Sequence, residues 1–130
     1  MTQEEKDLLL KDLCARLPYG VHIYNKMNNS PISARMMLDF YHIRMLNQNK
    51  FEFIKPYLFP ISNMTEEQKK EYESLCIKKT SECTDLYDII FTKDYYDTVE
   101  SIDYLYKNHI DIRGLIPLGL AKDATDKKIY

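Results

Sequence analysis

His22, His42 and His109 are the only imidazoles in the 130-residue chain. With Asp39 and Glu52 they are the groups from which a general base or a metal site would have to be built. His22 and His42 on neighbouring strands, with a carboxylate nearby, could hold a divalent ion. The spacing does not demand one. No His-Glu-x-x-His, Gly-x-Ser-x-Gly or phosphate-cradling glycine loop occurs. Cys14, Cys76 and Cys83 are odd in number and lack Cys-x-x-Cys spacing. They read as reduced thiols in a cytoplasm. The expectation is a protein that is not an enzyme, with no catalytic residue, metal or cofactor.

Charge is the stronger signal. Between residues 13 and 56, Arg16, Lys26, Arg35, Arg44, Lys50 and Lys55 face only Asp39 and Glu52. Between residues 82 and 103, Glu82, Asp85, Asp88, Asp94, Asp97, Glu100 and Asp103 face only Lys93. Tyr19, Tyr24, Phe40 and Tyr41 are interleaved with the basic set, and bases stack on such rings. One reading is a basic, aromatic face for nucleic acid. Another is an acidic face, Asp88, Asp97 and Asp103, that mimics nucleic acid in a partner's groove. The plainest reading is two solvated faces that complement each other within one fold.

The whole chain is mildly acidic, with a formal charge of -2 and a pI near 5.9. Apolar residues make up 45% and charged residues 29%, as in an ordinary globular domain. Trp is absent and Tyr occurs 11 times, which suits wet interfaces and half-buried sheets. No apolar run approaches the ~20 residues of a membrane span. The opening MTQEEKDLLLKD is acidic where an export signal would be basic. A cytoplasmic location without membrane contact is expected.

The elements that must position these groups follow from capping and periodicity. Thr2 and Glu5 form a capping box, and Leu9, Leu10, Leu13, Cys14 and Leu17 follow as a helical stripe ended by Pro18. Residues 21–27 alternate as a strand with Val21, Ile23 and Met27 on one face. Asn28 to Pro31 is a turn. Residues 32–46 fit period two better than a helix, with the apolar face switching at a bulge or turn near Asp39. Phe51 to Ile54 is a short strand stopped by Pro56. Thr65 and Gln68 start a second helix, which carries Tyr72, Leu75 and Cys76 and runs to about Lys79. Leu86 to Phe91 is an apolar patch of open type. Tyr95, Val99, Ile102 and Tyr106 mark a third helix. From Lys122 onward the tail is polar and expected to be loose. The fold expected is α+β in one domain: a small antiparallel sheet with an N-terminal helix and two C-terminal helices.

Three stretches resemble a family. They are Leu13-Cys14-Ala15-Arg16-Leu17-Pro18-Tyr19-Gly20-Val21, then Lys55-Pro56-Tyr57-Leu58-Phe59-Pro60 running into Met64-Thr65-Glu66-Glu67-Gln68, and Ile102-Asp103-Tyr104-Leu105 running through His109, Asp111 and Arg113-Gly114-Leu115-Ile116 to Gly119-Leu120-Ala121. Together they look like short uncharacterised proteins of Bacteroides-type bacteria, often associated with prophages and mobile elements. Members commonly carry Trp where Tyr104 stands and a second His where this chain has Asn108, which argues against a paired-histidine metal site.

The resemblance implies no reaction or ligand. It implies a fixed frame around a variable insert, residues 28–53. A rigid frame usually positions a functional loop, so residues 22–54 are the expected recognition surface, with Tyr24, Arg35, Tyr41, His42, Arg44 and Lys50 as partner-binding candidates. Arg16, Pro18, Tyr57, Pro60, Arg113 and Gly114 would be structural. Arg113 could hold a ligand carboxylate or phosphate, but the expected role is to tie down a carbonyl or Asp111. The function expected is a protein-binding module, a phage or mobile-element factor acting on a host or defence protein, with nucleic acid as the alternative partner. An exposed strand edge would also permit a homodimer.

Overall fold

Helix α1 runs from Gln3 to Arg16 in a computed structural model of the chain, which describes residues 2–26, 33–48, 54–78 and 95–130. Its start is the expected capping box: Thr2 accepts from the Glu5 N–H, and Glu5 reaches back to the Thr2 N–H. Its inward stripe differs from the expected one. Leu9 and Leu13 are buried, Cys14 is exposed, and Asp12 and Arg16 are buried beside the leucines. These two charges sit one turn apart and join at 2.7 Å, which lets both leave water together.

A single 3-10 turn, Leu17–Tyr19, and Gly20 at φ +68° deliver the chain to strand β1, His22–Lys26. Only glycine takes that left-handed angle without strain. Strand β2, Ser33–Met37, pairs antiparallel with β1, setting Tyr24 opposite Arg35. Period two holds over residues 33–37 and fails after that. Asp39 caps a helix, α2, Phe40–Asn47. The apolar face switches because the repeat changes from 2 to 3.6, not because of a bulge. The Asp39 carboxylate accepts from the Tyr41 N–H at 2.8 Å, and His42 Nδ1 accepts from the Asp39 N–H at 3.1 Å.

Strand β3, Ile54–Leu58, pairs antiparallel with β1 and continues through Pro56, which stands opposite Ile23. Helix α3, Glu66–Leu75, has the Thr65–Gln68 box and ends at Leu75, four residues before the expected stop. A two-residue ladder joins β4, Ile77–Lys78, to β5, Tyr95–Tyr96. Tyr95 therefore precedes the next helix, α4, Val99–Lys107, which Thr98 caps. Its inward face is Ser101, Leu105 and Tyr106, while Val99 is exposed. The expected apolar patch at Leu86 to Phe91 and the Phe51 start of the third strand lie outside the described residues.

The tail is not loose. Strand β6, Lys122–Asp123, pairs parallel with Tyr57 and Leu58 of β3, and Ala124 is fully buried beneath it. Sheet order is β2-β1-β3-β6, so the sheet is mixed where an antiparallel one was expected. The polar tail docks through backbone hydrogen bonds, which its composition does not advertise. The fold is α+β. One apolar cluster joins α1, α2 and the sheet through Leu13, Ile23, Leu46 and Leu58. A second, Met64, Tyr72, Leu105 and Ile110, lies with α3 and α4. Each buried leucine stabilises the fold by roughly 2 kcal/mol. Among the described residues no helix is long and apolar enough to cross a membrane.

Candidate functional site

Among the described recognition candidates, Tyr24 and His42 are turned partly or wholly inward, while Tyr41 and Arg44 are exposed. Tyr24 is half-buried, and Lys122 of β6 lies 4.7 Å over its ring. Arg35 is placed by its register opposite Tyr24, and Lys50 lies outside the described residues. His42 faces inward, only 5% exposed. It completes the α2 cap with Nδ1, and its Nε2 lies 3.0 Å from Met36 Sδ. It is a capping residue rather than a contact residue.

Tyr41 and Arg44 are exposed as expected, and they are not alone. Phe40 is 72% exposed and Met37 and Tyr41 each 56%. Met37 ends β2, Phe40 opens α2, and Arg44 follows Phe40 by one helical turn. Two rings, a thioether and a guanidinium thus stand at one strand-to-helix corner that the Asp39–His42 cap holds in place. Phe40 entered the sequence reading only as a stacking ring for nucleic acid, and Met37 carried no sequence signal. The change of repeat at Asp39 puts them outside.

The acidic candidates are partly engaged within the fold. Asp97 accepts hydrogen bonds from the Tyr72 hydroxyl and, at 3.1 Å, from Ser101 Oγ. Burial, then this bond to Asp97, pushes the Tyr72 phenol strongly up. Asp103 is exposed but accepts from the Tyr19 hydroxyl at 2.6 Å. Asp88 lies outside the described residues.

The three family-like stretches meet in a buried polar centre. Arg16, expected on the basic face, is fully buried. Its Nε donates to Asp12 at 2.7 Å and its Nη2 to the Ile110 carbonyl at 2.5 Å. Arg113 donates to the other Asp12 oxygen at 2.9 Å. Asp12, not Asp111, is the acid that Arg113 holds. The Asp111 carboxylate accepts instead from the N–H groups of Leu115 and Ile116 at 2.8 and 2.9 Å. Arg16 and Arg113 both lie over the Tyr106 ring, at 5.1 and 5.8 Å.

His109 borders this centre in a left-handed conformation at φ 59°. Its ring stacks on Tyr130 with centroids 3.6 Å apart and planes within 12°. The Tyr130 hydroxyl accepts from the His22 N–H at 2.9 Å and donates to the Tyr57 carbonyl at 2.8 Å. The His22 ring meets Tyr130 edge-on at 5.3 Å. Burial, with Arg16 and His22 adding positive potential, holds His109 down to about 4. Burial pushes the Tyr130 phenol up to about 12. The family-like stretches carry Arg16, His109, Asp111 and Arg113, but no local pattern joins them to Asp12, His22 and Tyr130, spread from residue 12 to residue 130.

A shallow pocket of about 490 Å³ opens beside it, lined by Pro60, Ile61, Ile112, Arg113, Ile116 and Pro117 among others. Among the described residues no group of three or more His, Cys, Asp or Glu side chains is placed to hold a metal ion.

The chain matches no protein-family model, no curated protein and no solved structure.

Proposed function

We propose that the protein is a small non-enzymatic protein-binding module whose contact corner is Met37, Phe40, Tyr41 and Arg44. The observation that carries this is the 72% exposure of Phe40, flanked by Met37 and Tyr41, at a corner fixed by a helix cap. Aromatic residues, Met and Arg are the types enriched at the centres of protein interfaces. Leaving such rings in water forgoes roughly 2 kcal/mol each, which a partner's apolar pocket would recover. Arg44 at the rim favours a partner carboxylate beside that pocket. The resemblance to mobile-element proteins suggests a host or defence protein as the target, met in the cytoplasm.

Two features favour this reading over nucleic acid or acidic mimicry. Arg16 is withdrawn from the basic face into an ion pair. Asp97 is half-buried and takes the Tyr72 hydroxyl.

The test is capture by tagged protein from a Bacteroides-type lysate, with and without nuclease, beside the double variant Phe40→Ser, Tyr41→Ser and a control, Lys70→Ala on the exposed side of α3. One protein retained after nuclease, retained by the control and lost by the double variant is the expected result. Capture that vanishes with nuclease, or that the double variant leaves unchanged, overturns the proposal.

A further inference from the structure

We propose that the Arg16–His22–His109 centre is a binding site for a small oxyanion of the phosphate or sulfate class, covered by the ring of Tyr130. Three side-chain nitrogens there are buried and lack a hydrogen-bond partner: Arg16 Nη1, His22 Nδ1 and His109 Nδ1. Buried polar groups are almost always paired, because each unpaired one costs a desolvation penalty. His22 and His109 both contact the Tyr130 ring, and Arg16 lies near enough to add positive potential at His109. Three unpaired nitrogens on such neighbours are what a site lacking its ligand would leave.

The charge balance points the same way. Arg16 and Arg113 share one carboxylate, Asp12. Asp111, also buried, spends both its oxygens on backbone N–H groups. Arg16, fully enclosed, therefore lies where negative charge is short, and an enclosed cation is stabilised by pairing. A tetrahedral oxyanion supplies charge and several acceptors at once, and a guanidinium fork with histidine N–H groups is suited to it. Two further observations place the entrance. Tyr130 lies flat on His109 and edge-on to His22, and one hydroxyl anchors it to His22 and Tyr57. Its swing would break the two hydroxyl bonds to β1 and β3 and uncover His22 and His109.

The groups facing His109 are Arg16 from α1, His22 from β1 and Tyr130 from the tail, with Asp12 and Arg113 behind Arg16. A bound anion favours the imidazolium, so binding should strengthen as pH falls. Sulfate keeps its charge over the pH range of interest, so any pH dependence belongs to the protein.

The experiment follows the histidine ring resonances of the full chain by NMR as sodium sulfate is added, with ionic strength held constant by sodium chloride. Saturable shifts at His22 and His109 are expected, with about tenfold tighter binding at about pH 5 than at about pH 7. His109→Asn keeps a residue type tolerant of the left-handed angle and should weaken binding about tenfold, the loss of one charge-assisted hydrogen bond. Tyr130→Ala should bind sulfate at least as tightly and exchange it faster. No saturable shift in either the natural chain or Tyr130→Ala, up to about 50 mM sulfate, overturns the site, since a built oxyanion site should half-saturate at or below about 1 mM. So does binding that His109→Asn leaves unchanged, or a shift that sodium chloride reproduces. Should His109→Asn fail to fold, the pH dependence in the natural chain decides alone, and a flat profile overturns the proposal.

Discussion

Asp12 and Arg113 stand 101 positions apart in the chain and meet at 2.9 Å in the interior. The same carboxylate holds Arg16 through its other oxygen. One acid thus fastens α1 to the turn after α4.

Replacing Asp12 by Ala should cost about 3–5 kcal/mol, because it strands the fully buried Arg16 guanidinium beside the partly exposed Arg113. Asp12→Asn keeps the shape and one acceptor and should cost less. Urea unfolding measures both; a loss under about 1 kcal/mol for Asp12→Ala would mean that water reaches Arg16 in the folded chain.

His109 links stability to acid. Its folded value of about 4 lies below the ordinary 6.5, so the folded state binds the proton more weakly than the unfolded chain. Its contribution is complete above about pH 6.5 and is lost as pH falls through about 4. The ring is only half-buried, so solvent screening reduces the effect to about 1–2 kcal/mol. Urea midpoints across this range, in a buffer free of oxyanions, should fall less for His109→Asn than for the natural chain.

Tyr130→Phe removes a hydroxyl that bridges His22 and Tyr57 and keeps the ring on His109. The expected cost is about 1–2 kcal/mol, for the two hydrogen bonds lost. Tyr130→Ala removes the stack as well and should cost about 1 kcal/mol more. Equal losses for the two variants would show that the stack contributes nothing measurable to stability.

The Phe40→Ser, Tyr41→Ser double variant should unfold within about 0.5 kcal/mol of the natural chain, since neither ring belongs to the core. Differential scanning calorimetry checks this. A larger loss would assign the two rings to packing and remove the contact corner.

Local chemistry made much of this fold legible. Thr2 with Glu5 and Thr65 with Gln68 announce their helices, and Val21 and Ile23 announce β1 by alternation. Helix α2 escaped because its cap completes with His42 where Glu or Gln is usual. Asp12 draws no notice in the sequence, and Arg16 falls both in the basic set and among the structural residues, because charge on a helix normally faces solvent. Their burial is decided by Arg113 and the Ile110 carbonyl, which no local window contains. The tail misled for the opposite reason. Polar side chains hide a backbone that completes a sheet edge, and one distant ring, Tyr130, secures it. Of the recognition candidates, Tyr41 and Arg44 are exposed at the corner proposed for contact, whereas His42 is buried in the α2 cap, because capping and recognition draw on the same side chain.

The centre around Arg16 also bears on how the chain reaches its native state. Arg16 belongs to the first helix, yet its carbonyl partner Ile110 lies 94 positions away. Closing a loop of that length costs on the order of 4 kcal/mol before the contact returns anything. Helix α1 can form early under its own cap, but its inner face must wait for the turn after α4 to be delivered. If the arrival of that turn limits folding, substitutions in residues 109–113 should slow refolding, measured by stopped-flow, far more than substitutions near Thr2.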